Sequence, residues 1–522
     1  MRESKSMLVQ GFLEDSSRRH PEKTALICDG LRFSYRTIDE RSNRLAHALI
    51  ATGVQRGDRV AICLENSAEA AISVFGILKS DATFLMINPT VKTEKLAHIL
   101  NNCRAVALIT HKRKLDSIQD CWRQTPHLRT VYFAGSDGKT PTDADKQFLS
   151  LDAVLASEAH SSQASPVKNV DLDLAALMYT SGSTGVPKGV MLSHQNIVAA
   201  AASVTAYLEN TPDDIILNVL PLFFGYGLYQ LLMTFKCGGT VVLERSFAFP
   251  HAVLEKIAQE RVTGIPMVPT IAAILLQMDL TKYDFTSLRY LTNAGAGIPV
   301  EHVQKLRKLL PRVKIFLMYG QTECIRTSFL CPDEVDRRPN SVGKAMPNCE
   351  VFIVDEQGQR LPPGAVGELV VRGANVMLGY WELPGETAKV LRPGPSPAEK
   401  VLHSGDLFKM DEEGYLYFVS RRDDIIKVRG QRVGPREIEE VLCRMPGVRE
   451  AVVVGVPDPI LGNAIKAVIR PVIGASLTEQ AVRAYCASHL EDVMIPKQIE
   501  FRDVLPVTES GKVSRKELKA EL

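Results

Sequence analysis

What this sequence lacks excludes several classes at once. No stretch of its 522 residues stays apolar and uncharged over the roughly 20 positions that a membrane-spanning helix needs. The opening residues, Met1 to Ser6, are polar and charged, and no apolar leader segment follows them. Charge of one sign is missing too. The 62 basic and 60 acidic side chains leave a formal net of +2, without the basic excess of a nucleic-acid binder or a polybasic membrane-surface protein. That balance still permits small anionic ligands, because a few positive groups can gather in one cleft. The ten cysteines form no C-x-x-C pair and no His/Cys cluster at zinc spacing. Each reads as a small buried hydrophobe, and a reducing, cytoplasmic location is expected.

What is present is ordinary globular composition, 45% hydrophobic and 23% charged, which rules out disordered, collagen-like and coiled-coil chains. Single cores stop growing near about 250–300 residues, so more than one layer or subdomain is expected. Helical and strand-like patterns alternate through the first half: helices at Tyr35–Leu49, Ala68–Leu78 and Lys92–Asn101, strands at Arg59–Leu64, Thr83–Ile87 and Ala105–Thr110. That alternation predicts α/β layers with parallel sheets. Residues Gly135 to Gln163 are polar and predict a surface excursion. From Val351 the pattern turns β-rich. The charged run Ser420–Asp424 marks a boundary, and the segment beyond it is roughly a hundred residues, enough for a small domain. The fold expected is α/β: a large N-terminal domain of layered subdomains with a β-rich part (1–420), and a small mobile α+β C-terminal domain (421–522).

Five segments carry chemistry. Tyr179-Thr-Ser-Gly-Ser-Thr-Gly-Val-Pro-Lys-Gly189 follows the apolar strand pattern Ala175–Met178. Its glycines let backbone N–H groups converge on a polyphosphate, its hydroxyls add donors and Lys188 adds a charge, although the spacing is not that of a Walker A loop. Met318-Tyr-Gly-Gln-Thr-Glu323 offers an aromatic stacking face and a carboxylate able to hold Mg²⁺ against phosphate. Ser404-Gly-Asp406 offers a carboxylate that can accept from two ribose hydroxyls. Arg421–Gly430, followed by Gly434–Glu439, is strongly charged. Leu505–Arg515 carries a Gly-Lys tip. Taken singly, each is also explained by a solvated turn.

In this order and spacing, the five segments resemble the adenylate-forming superfamily of acyl- and aryl-CoA synthetases, nonribosomal peptide adenylation domains and firefly luciferase. The resemblance runs from Phe33–Leu45 through Gly367–Gly373 and Gly379-Tyr-Trp381 to the terminal Gly-Lys. It implies attack of a carboxylate on the α-phosphate of Mg-ATP, with pyrophosphate released, then transfer of the acyl group from AMP to a thiol. By resemblance, Thr180, Ser181, Gly182, Ser183, Thr184, Gly185 and Lys188 surround the β- and γ-phosphates. Tyr319 and Gly320 lie at the adenine, with Asn293, Ala294 and Gly295 beside it. Thr322 contacts phosphate, Glu323 holds Mg²⁺, and Asp406 and Arg421 hold the ribose. Lys512 bridges the acid and ATP during adenylation. Asp423 is the hinge about which the small domain rotates, bringing Lys427 to the site and Gly430 beside the pantetheine arm. Lys188, Arg421, Lys427 and Lys512 are thus the expected cations, scattered along the chain and gathered by folding.

The acid pocket departs from the amino-acid-activating members, which pair an aspartate with the substrate ammonium. Gly225 stands at that position, and an ammonium buried without a carboxylate would be costly, so a non-amino acid is expected. Phe224 replaces a histidine common in acyl- and aryl-CoA synthetases, which argues against aryl acids and a His-gated thioester step. Phe223, Phe224, Tyr226 and Met318 would wall an apolar pocket suited to a fatty or other extended acyl chain, or would simply pack the core. Arg326 lies near a pocket-lining position. A surface salt bridge is the expectation for it, with pairing to a distal polar group of the substrate as the alternative. Coenzyme A is the expected acceptor. The alternative is the phosphopantetheine of a carrier protein, which would act in trans because no carrier domain follows Lys512. A luciferase-like oxygenase and a binding-only protein are the remaining classes, the second opposed by the presence of Lys512, Glu323 and Asp406.

Overall fold

The computed structural model describes residues 7–135, 146–181, 187–396, 399–424, 426–428, 431–458, 462–490, 492–507 and 513–521. Among these residues the strands form four sheets. The first places, in order, Gly379–Tyr380, Pro187–Ser193, Leu174–Ser181, Thr83–Met86, Arg59–Cys63, Ala105–His111, Thr130–Ala134 and Gln147–Ser150. From Leu174–Ser181 onward, neighbours are parallel. The second sheet has a parallel centre, Lys314–Tyr319, Tyr290–Asn293, Gly264–Met267, Ile215–Asn218, Thr240–Leu243 and Thr24–Cys28, closed at each side by antiparallel strands.

The helices between these strands form where the apolar spacing predicts them. Tyr35–Ala51 starts at Ser34, whose hydroxyl accepts from the Thr37 N–H, and buries Ile38, Leu45, Ala46 and Leu49 along one face. Ala68–Lys79 is capped in the same way by Ser67 and is buried on all sides. Gly76 lets these two helices touch: a Cβ there would stand 2.8 Å from the Leu45 side chain. The surface excursion predicted for Gly135–Gln163 is corrected in part. Gln147–Ser150 adds an edge strand and Leu151–Ala156 a helix, because Phe148, Leu151, Val154 and Leu155 have apolar surface to bury.

The third sheet is antiparallel, Cys349–Val354, Val366–Gly373, Lys400–Met410 and Leu391–Pro393, with Leu416–Arg421 also paired to Lys400–Met410. The fourth is built from Gln431–Val433, Ile426–Val428, Gly462–Pro471, Val448–Asp458 and Gln498–Phe501, with the helices Pro435–Arg444 and Glu479–Ala487. The main core, from Val9 to Leu416, joins the first three sheets, whereas the cores beneath the fourth draw only on residues from Ile426 to Leu518. The architecture is therefore α/β, with a large N-terminal domain and a small α+β C-terminal domain. All ten cysteines are free. Six are buried and Cys331 alone is exposed, so the small-hydrophobe reading does not extend to Cys331. Among the described residues no helix is long and apolar enough to cross a membrane.

Candidate active site

The strands on either side of the Gly-rich segment pair with each other. Leu174–Ser181 pairs antiparallel with Pro187–Ser193, and Lys188 lies across from Thr180. Gly182, Ser183, Thr184 and Gly185 lie outside the described residues, as does the side chain of Ser181. The Lys188 ammonium is 2.7 Å from Glu386 Oε2 and 5.1 Å from the centre of the Tyr380 ring. The hydrogen bond from Lys188, with help from Lys389, pulls the Glu386 carboxyl down to about 2.

The parallel strands of the second sheet bring their C-terminal ends to the same region, where open α/β sheets bind ligands. Asn293 ends one strand and donates to Met267 O at 3.4 Å. Ala294 is buried, and Gly295 turns the chain with φ +88°, a conformation that glycine adopts without strain. The next strand ends at Tyr319, whose hydroxyl donates to Asp406 Oδ2 at 2.7 Å while its ring meets Phe408 edge-on. Gly320 packs against backbone, since a Cβ would stand 2.7 Å from Ile325 O. Gln321 Nε2 donates to the same Asp406 oxygen at 2.8 Å and to Ser404 O at 2.9 Å. Burial, and next the Asp406 charge, hold the Tyr319 phenol well above its ordinary range, so it remains a donor.

Asp406 is 4% exposed, and its Oδ1 accepts no hydrogen bond from the described residues. Arg421, its partner across the strands, brings Nε to 3.1 Å of that oxygen without completing one. Oδ1 is thus a buried acceptor whose capacity is unused, as a bound ribose hydroxyl would require. The turn that presents it is built by Glu368, which accepts from Gly405 N–H at 3.0 Å and meets His403 Nδ1 at 3.1 Å. Burial works against the Glu368 charge, yet these contacts hold its carboxyl below the usual range. Glu323 Oε1 accepts from the Tyr380 hydroxyl at 2.9 Å, and Thr322 is half-buried beside it.

Where the sequence predicts the acid, Phe224 precedes the helix Gly225–Cys237. A Cβ at Gly225 would meet only Met178 Cε, at 4.0 Å, so space stands open there. Tyr226 is buried and shares a 2.7 Å hydrogen bond with Thr292, and Met318 Sδ accepts from Tyr207 at 2.9 Å. Arg326 overturns the expectation of a surface salt bridge. It is 5% exposed, its guanidinium sits 4.5 Å from the centre of the Tyr226 ring, and among the described residues it has no ion pair.

Asp423 falls in the short turn Arg422–Asp424 and Lys427 on the strand Ile426–Val428, with both side chains outside the described residues, as are Gly430 and Lys512. The neighbouring Asp424 lies 3.3 Å from Lys519 and 3.9 Å from Arg515 of the last helix. Arg436 lies over the Phe418 ring and against Gly297, which sets the first helix of the small domain over the Asn293–Gly297 segment.

Residues 13–381 match the model of the family described as AMP-binding enzyme, and residues 437–512 that of the AMP-binding enzyme C-terminal domain. The chain belongs to the AMP-binding enzyme family. It is 32% identical to the long-chain-fatty-acid–CoA ligase of Escherichia coli O6:H1, covering 98% of this chain and 94% of that protein. It is 34% identical to a feruloyl-CoA synthase of an Amycolatopsis species, over 96% of both. Among solved structures, ATP-bound MatB from Rhodopseudomonas palustris superposes with a TM-score of 0.89 at 30% identity, covering 99% of this chain and 98% of that one. Within the adenylate-forming superfamily the chain is of the acyl-CoA synthetase type, an AMP-forming acid–thiol ligase.

In this AMP-binding enzyme the fold brings Thr180, Lys188, Asn293, Tyr319, Glu323, Asp406 and Arg421 onto neighbouring strand ends and turns. Sequence reasoning gave no role to Gln321, Glu368, Tyr380, Glu386 or His403. Gln321 and Tyr380 stand inside segments already singled out, so a signal was available. Glu386 gave none, because 198 residues separate it from Lys188.

Proposed function

We propose that the protein activates a non-amino carboxylic acid with ATP, releasing pyrophosphate, and passes the acyl group from the adenylate to coenzyme A, releasing AMP. The observation that carries this reading in detail is the Asp406 cluster. A buried carboxylate with one unused oxygen, fixed by Tyr319, Gln321 and the Glu368-braced turn, fits a ribose beside an aromatic ring. The paired strands at Thr180 and Lys188 support the phosphate end, where Lys188 would exchange Glu386 for phosphate oxygens. Glu323 fits a Mg²⁺ ligand, because Tyr380 takes Oε1 and no described residue bonds Oε2. Mg²⁺ commonly takes one or two carboxylates with phosphate and water, and no larger acidic or His/Cys cluster occurs among the described residues. Bound there with ATP, it would neutralise phosphate charge.

Catalysis in this reading is mainly positioning and charge stabilisation. Residues 1–420 hold ATP and the acid. Residues 421–522 turn about Asp423 to present Lys512 for the first step, then Lys427 and Gly430 for the second. Hydroxylamine trapping tests the adenylate: the protein with Mg-ATP and an acid panel should yield hydroxamate and pyrophosphate. ATP binding without hydroxamate from any acid would reduce it to a binder. The mass of the product formed with coenzyme A, or with an acyl-carrier protein supplied in trans, identifies the acceptor.

A further inference from the structure

Near Tyr226 and Met318, where the sequence predicts the acid, a buried charge has no ion pair among the described residues. Arg326 is buried, and its Nη1 donates to Ile325 O at 3.3 Å. Among the described residues its Nε and Nη2 have no hydrogen-bond partner. These two nitrogens share one edge of the guanidinium, the edge that meets both oxygens of a carboxylate through parallel bonds. Guanidinium cannot shed its proton to escape burial, and an unanswered buried charge is strongly unfavourable.

The surroundings do not neutralise it. Tyr207, Tyr226 and Tyr229 lie in its field. Burial pushes the Tyr226 phenol up to about 12 and holds the other two higher still, so all three stay neutral. The Tyr226 face offsets part of the charge. Among the described residues the Tyr229 hydroxyl is itself buried without a hydrogen-bond partner, a second idle polar group.

The backbone is strained to put Arg326 there. Ile325, a β-branched residue, takes φ +58°, a conformation such residues rarely adopt. Asn375 holds the turn by donating from Nδ2 to Cys324 O at 2.8 Å and to Arg326 O at 2.7 Å. The guanidinium touches Tyr226, the second residue of the helix that begins in the open space at Gly225, and Tyr207 links it to Met318.

We propose that Arg326 receives a second carboxylate at the far end of the substrate, so that the acid activated is a dicarboxylic acid. This rests on the adenylation reading and names its substrate class. A plain acyl chain would leave the guanidinium unpaired, and a neutral acceptor would satisfy its N–H groups while leaving its charge.

The test is kcat/KM for hydroxamate formation with α,ω-dicarboxylic acids of increasing length, their half-amides and the monocarboxylic acids of equal length. At the best length the diacid should exceed its half-amide and its monoacid by roughly ten- to a hundredfold, the span of a charged hydrogen bond. Arg326→Met should bring that ratio to one or invert it, and Arg326→Lys should keep a reduced preference. A half-amide or monoacid equal to the diacid on the wild-type protein overturns the proposal, with no variant needed, as does an Arg326→Met protein that keeps the diacid preference. Hydroxamate from monoacids alone would refute the Arg326 assignment and leave the adenylation reading standing, whereas none from any acid would refute both.

Discussion

At the residue scale, Asp406 and His194 show how burial sets a side chain's task. Asp406 is held in the interior by Tyr319 and Gln321, which donate to one oxygen, and by Arg421, which approaches the other. Asp406→Ala should lower kcat/KM for ATP in pyrophosphate release by about tenfold or more, the loss of charged hydrogen bonds. Tyr319→Phe should cost less, since Gln321 remains. Equal rates in wild type and Asp406→Ala would remove Asp406 from the nucleotide site. His194 is buried neutral: its Nδ1 accepts from Val9 N–H at 3.1 Å, and burial lowers its pKa from 6.5 to about 4 against the pull of Asp173. The unfolded chain therefore binds the proton first. The stability due to neutral His194 is complete above pH 6.5 and declines as pH falls toward 4, by on the order of 3 kcal/mol. Urea midpoints across that window should fall more steeply for wild type than for His194→Gln, and matching slopes would reject this cause.

At the element scale, the paired strands and the helix Pro384–Val390 face each other through Lys188 and Glu386. If Lys188 meets the phosphates as proposed, ATP would displace the Glu386 carboxylate. A half-buried ion pair of this kind is modest in strength. Glu386→Gln should lower the KM for ATP about two- to fivefold, the range expected of such pairs, and Lys188→Met should raise it. A Glu386→Gln protein with an increased KM would mean that Glu386 serves the nucleotide directly. The first of the paired strands was legible in the apolar run Ala175–Met178. Its return strand was not, because Pro187 and Gly189 read as loop residues until the neighbouring Leu174–Ser181 supplies their hydrogen-bond partners.

At the scale of the whole molecule, separate cores for the two domains make rotation about residues 421–424 physically simple, since no shared apolar cluster need be broken. Two substitutions test whether the two half-reactions separate in this way. Lys512→Ala should reduce adenylation by about 10²–10³, the usual loss on removing a transition-state donor. Asp423→Pro should spare adenylation and slow thioester formation, because it stiffens the turn rather than the nucleotide site. Measured by pyrophosphate release and by thioester yield, equal loss of both steps in Asp423→Pro would reject the hinge.

The sequence by itself determined the α/β alternation, the family resemblance carried by the five segments and the absence of an ammonium-pairing carboxylate at Gly225. Those features are local, written in periodicity, turn chemistry and residue type. Only tertiary structure decided that Arg326 is buried rather than paired at the surface, that Glu386 answers Lys188, and that Glu368 and His403 brace the turn at Asp406. The physical reason is that burial and charge pairing depend on which distant segments the sheets bring together. An arginine three residues beyond Glu323 carries no local sign of its burial against the Tyr226 ring.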